Sequence, residues 1–88
     1  MNHKHRATLH ALFAHPMSGN IDPKTVQSML QELGADITHS RHNHLMVTLN
    51  GSTHGFHEAQ HSLSKDEVAA LRKFLTDAGI DPARDYPL

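Results

Sequence analysis

The sequence predicts an α+β fold: a three-stranded antiparallel sheet with helices packed on one face, in the order α-α-β-β-β-α. Three observations lead there. Asn50-Gly51 stands between two short segments of strand character, which is the signature of a two-residue hairpin. Segments with apolar residues at helical spacing flank that hairpin, each opened by a capping residue and closed by a glycine. A chain of 88 residues has room for one small core, which a single sheet layer under helices can supply.

Taken in order, the first helix is expected over Lys4 to Ala14, with Leu9, Leu12 and Phe13 as a short apolar stripe. Pro16 and Ser18-Gly19-Asn20 end it in a loop. The second helix starts with Asp22 as N-cap and Pro23 in the first helical position, with Ile21 and Val26 placed as a hydrophobic staple. Val26, Met29, Leu30 and Leu33 form its buried stripe and Gly34 stops it. A short strand around Ile37 occupies Ala35 to Ser40. The hairpin then supplies two strands, because Leu45, Val47 and Leu49 alternate with His44, Met46 and Thr48. Glu58 to Ser62 reads as a polar connection. Ser64 and Glu67 form a capping box for the last helix, Leu63 and Val68 sit at staple positions, and Val68, Leu71, Phe74, Leu75 and Ala78 form its stripe before Gly79. The expected organisation is one domain over residues 1–80, with 1–20 as a helical extension and 81–88 as an irregular tail. Its expected core is Val26, Leu30, Leu33, Ile37, Leu45, Val47, Leu49, Phe56, Val68, Leu71 and Leu75.

Composition narrows the function. With no cysteine, neither a disulfide framework nor a thiolate zinc site is available. The segment from Met1 to His15 is studded with His, Lys and Arg and no long apolar run follows, so a cytoplasmic setting without membrane contact is expected. The net charge of −1 counts against a strongly electrostatic nucleic-acid surface, although ten histidines add positive charge below neutral pH.

Counting back from Asn50-Gly51 places Leu49 opposite Ser52, Thr48 opposite Thr53, Leu45 opposite Phe56 and His44 opposite His57. Two imidazoles then stand side by side on the polar face of the sheet. One can remove a proton while the other donates one near neutral pH, which is what cleavage of RNA by its own 2′-hydroxyl requires, without metal or cofactor. Met46 and Gly55, next on that face, would leave space for a base or ribose. His42, His44, His57 and His61 also form a candidate set for zinc, copper or nickel. His3, His5 and His10 read as solvated, and His54 as a partly buried, hydrogen-bonded residue on the core side near the sheet edge. Lys65, Arg72 and Lys73 share their helix with Asp66, Glu67 and Asp77 and read as an ordinary charged face.

Leu33-Gly34-Ala35 at the end of a helix, a short strand leading to Arg41 and a histidine-containing step, a hairpin followed by Phe56-His57-Glu58-Ala59-Gln60-His61, and a capped helix running into Ala78-Gly79-Ile80 follow one another in the chain. In that order they resemble the HicA toxins, small metal-independent mRNA interferases with a double-stranded-RNA-binding-domain-like fold. The resemblance spans roughly residues 21–80, and the N-terminal helix is similar to the extension of a longer subgroup. It implies that His44, which follows His42-Asn43 where the family has Gly-Ser, is the catalytic histidine. His57 would be its partner or a phosphate contact, with Arg41, Asn43 and Lys73 contacting RNA. It also implies mRNA as substrate, a HicB-like antitoxin as partner and no cofactor. Two other classes compete: a non-catalytic RNA- or protein-binding module of the same fold, and a histidine-rich metal-binding protein.

Overall fold

The computed structural model describes residues 1–16, 19–40, 44–57 and 62–88. Asp22 begins helix α2 (Pro23–Glu32) as expected: its carboxylate accepts from the backbone N–H of Lys24 at 3.0 Å, and Pro23 occupies the first turn. The helix closes on Gly34, whose φ of +99° is open to glycine. The N–H of Gly34 reaches the carbonyl of Gln31 and that of Ala35 reaches Leu30, both at 3.0 Å, which is a Schellman closure. The same closure recurs at the end of helix α3 (Lys65–Asp77). There Gly79 (φ +84°) bonds to Thr76 at 3.0 Å and Ile80 to Leu75 at 2.9 Å. At the start of α3 the capping box between Ser64 and Glu67 is complete in both directions.

Between these helices lie strands β1 (Asp36–His39), β2 (His44–Leu49) and β3 (Ser52–His57), in one antiparallel sheet ordered β1-β2-β3. Asn50 and Gly51 both have positive φ, +50° and +85°, as a type I′ turn demands. The register is the expected one: His44 pairs with His57, Leu45 with Phe56, Thr48 with Thr53 and Leu49 with Ser52. On β1, Ile37 pairs with Val47 and Thr38 with Met46. Leu45, Val47 and Leu49 are buried while His44 and Met46 are exposed, so the helices cover one face and leave the other open. Phe56 meets Phe74 of α3 edge-on at 5.6 Å.

Of the expected core, Leu33, Ile37 and Phe56 are only half-buried and pack against its margin; the remainder are buried. The largest addition comes from the N-terminus. Helix α1 (His3–Leu12) is set within the domain: Leu9 and Leu12 are 0% exposed. Each buried leucine contributes roughly 1.5–3 kcal/mol. The segment expected as an extension is therefore a structural layer. It begins earlier than the apolar stripe suggests, because the Asn2 side chain accepts from the N–H of His5 at 2.7 Å.

Arg72, expected on a solvated face, instead donates from Nε to the carbonyl of Leu12 at 2.9 Å and from Nη2 to that of Ala14 at 3.1 Å. Its guanidinium supplies the partners that the last carbonyls of a helix lack. The expected irregular tail also carries order. Asp81 caps a short helix α4 (Pro82–Asp85), Pro82 is buried, and Nε2 of His10 donates to the carbonyl of Tyr86 at 2.7 Å.

Candidate functional site on the open sheet face

A two-residue type I′ turn makes its flanking residues, Leu49 and Ser52, a hydrogen-bonded pair, and such pairs alternate along an antiparallel ladder. Val47–His54 and Leu45–Phe56 then exchange backbone bonds, while Thr48–Thr53, Met46–Gly55 and His44–His57 do not. In the second kind the side chains stand closer together. All three of these pairs lie on the open face, and each shows contact. The hydroxyls of Thr48 and Thr53 are hydrogen-bonded at 2.9 Å. The rings of His44 and His57 meet with centres 5.2 Å apart and planes perpendicular.

At the middle pair the thioether of Met46 lies over Gly55: a Cβ on Gly55 would come within 3.3 Å of the Met46 sulfur. The space expected there for a base is occupied by Met46 itself, which is 42% exposed and forms an apolar platform beside the imidazoles. Strand β1 completes the face with Thr38 and Asp36, opposite Met46 and Thr48.

His44 is held at the backbone. The N–H of Ser40 donates to its carbonyl at 2.8 Å, and the Ser40 hydroxyl donates to the same oxygen at 3.2 Å. Both imidazoles are exposed, and neither has a hydrogen-bond partner among the described residues. Arg41 and Asn43, expected to contact RNA, lie outside the described residues, as do His42 and His61. Lys73 is described. It lines a groove with Ser52, Thr53, His54 and Phe74 at the turn end of the hairpin, and its ammonium lies 3.4 Å from the Asp77 carboxylate. His57 is at the other end of β3, so the fold does not bring Lys73 to the histidine pair.

The remaining histidines divide. His54 is on the core side as expected but exposed, with its ring 4.7 Å from that of Phe56 and 6.3 Å from that of Phe74. His5 and His10, expected to be solvated, have partners inside the molecule. Nδ1 of His5 donates to Oε1 of Glu32 at 2.8 Å, joining the start of α1 to the end of α2. That bond is the main cause holding the Glu32 carboxyl below its usual range. Sequence periodicity carried no sign of either tether, because the partners are 27 and 76 residues away.

Among the described residues no group of three or more side chains is arranged to hold a metal ion. Among them, too, no helix is long and apolar enough to cross a membrane. Comparison of the chain with family models, curated proteins and solved structures returns no match.

Proposed function

We propose that the chain is a HicA-like toxin that cleaves mRNA without metal, through acid–base chemistry at His44 and His57. The observation that carries this reading is the juxtaposition of two exposed imidazoles on an uncovered sheet face, with centres 5.2 Å apart. Hydrogen bonds span about 2.7–3 Å between heavy atoms, so both rings can reach groups of one phosphodiester. His44, as general base, takes the proton of a ribose 2′-hydroxyl. The 2′-oxygen attacks phosphorus, the bond to the 5′-oxygen breaks, and protonated His57 gives that oxygen its proton. The products are a 2′,3′-cyclic phosphate and a free 5′-hydroxyl.

The order α2-β1-β2-β3-α3 supports a double-stranded-RNA-binding-domain-like arrangement. In this reading Arg41 and Asn43 contact RNA beside the histidine pair, Lys73 has no part in that contact, and the open face is the surface that a HicB-like antitoxin covers in the cytoplasm. The test is incubation of purified untagged protein with single-stranded RNA in EDTA. Cyclic-phosphate ends should form with wild type and vanish with His44→Ala. Intact RNA after wild-type treatment, together with harmless expression in cells, would sink the nuclease reading.

One observation favours a second reading. The net charge of −1 gives little long-range attraction for a polyanion. A binding module that uses the same open face, without cleavage, fits that charge. RNA retention without cleavage in the same assay would select it.

A further inference from the structure

We infer that the cross-strand pair His44–His57 is also a two-imidazole zinc site, and that zinc bound there silences the acid–base chemistry of the open face. The binding half stands on geometry alone; the silencing half rests on the proposed nuclease function.

The ring separation carries the inference. Zinc binds imidazole nitrogen at about 2.0–2.1 Å, which places each ring centre about 3.2 Å from the metal. Two such rings at a tetrahedral angle have centres about 5.2 Å apart, whereas a square-planar right angle would require about 4.5 Å. The observed 5.2 Å matches the tetrahedral value, so the spacing is compatible with zinc in its usual four-coordinate geometry.

The present edge-to-face contact does not aim both nitrogens at one point. A histidine ring turns about its Cβ–Cγ bond, which points at the ring centre, so rotation swings the nitrogens and leaves the separation unchanged. That torsion is broad and soft. The backbone beneath is fixed by the hairpin register and by the two Ser40 bonds to His44, and no competing partner among the described residues ties down either ring. Among the described residues no third ligand joins the pair, so the other two tetrahedral positions are taken by water. A nitrogen lone pair given to zinc is unavailable to a 2′-hydroxyl proton, and a metal-bound nitrogen has no proton to give a leaving oxygen.

The experiment is a zinc titration of the untagged chain, followed through the ring signals of its histidines by ¹H–¹⁵N NMR. Wild type should show the His44 and His57 rings shifting together, complete at one equivalent, before His3 or His54 responds. His44→Ala and His57→Ala should each weaken zinc binding at least ~10-fold. Both positions are exposed, so amide spectra should report an unchanged fold, and His54→Ala should bind zinc like wild type. Zinc that engages other histidines first, or either pair variant binding as tightly as wild type, overturns the site. In the RNA assay, zinc should stop cleavage and EDTA should restore it. Zinc held by the pair in a chain that never cuts RNA supports the site and overturns the nuclease reading. A cutting chain whose pair ignores zinc does the reverse.

Discussion

Two histidines of α1 and two of the hairpin stand in opposite surroundings. His5 and His10 each spend a ring N–H inside the molecule, on the Glu32 carboxylate and the Tyr86 carbonyl. His44 and His57 are exposed, and among the described residues neither ring has a hydrogen-bond partner. The first pair joins elements distant in the chain; the second is left with nitrogens able to meet a ligand. Enrichment in histidine therefore marks no function by itself. What distinguishes the two regions is whether packing delivers a hydrogen-bond acceptor within about 3 Å of a ring nitrogen.

The largest effect that would sharpen this contrast is on activity. His44→Ala should lower RNA cleavage by about 10²–10⁴-fold while leaving the urea midpoint unchanged, since the residue is exposed. An equal loss of cleavage in His10→Ala would erase the distinction. Next comes the layer that α1 contributes. Leu12→Ala should cost about 2–5 kcal/mol in urea unfolding, and a cost well under 1 kcal/mol would mean that α1 is an appendage after all.

Arg72→Gln should cost about 1.5–3 kcal/mol, because two charged hydrogen bonds to the end of α1 are lost. His10→Ala should cost about 0.5–1.5 kcal/mol with cleavage intact.

The smallest effect is in acid. The bond from His5 keeps Glu32 below its usual range, so the folded chain takes up this proton less readily than the unfolded one. The resulting stability is fully present above the ordinary carboxylate range and lost as pH falls through the lowered value. Asp85, held at about 2 by the Arg84 guanidinium and the Asp81 N–H, behaves the same way. Urea midpoints should therefore drop as pH falls below about 5, and Glu32→Gln should make that drop shallower. An identical slope in the variant would mean that the His5–Glu32 bond does not distinguish folded from unfolded chain.

Much of the hairpin site is legible in the sequence. The turn at Asn50-Gly51 sets a two-residue loop, and side chains alternate with period two, so the facing of His44 and His57 follows by counting. The reach of Met46 across Gly55 was not legible, since register tells which residues are neighbours but not which way a flexible side chain lies. Nor was the bond from the Asn50 amide to the carbonyl of Ala78, 2.9 Å long and 28 residues apart, which ties the turn to the end of α3.

The sequence by itself determined what acts over a few residues: the caps at Asp22 and Ser64, the closures at Gly34 and Gly79, the hairpin register, and which face of β2 is apolar. These depend on backbone torsions and short-range hydrogen bonds whose partners are written side by side. Only the tertiary structure decided that α1 is a layer of the core, that Arg72 serves the end of α1, and that His5 and His10 are tethers while His44 and His57 stay open. Those outcomes depend on the packing of distant apolar faces, which brings polar groups together irrespective of their spacing in the chain.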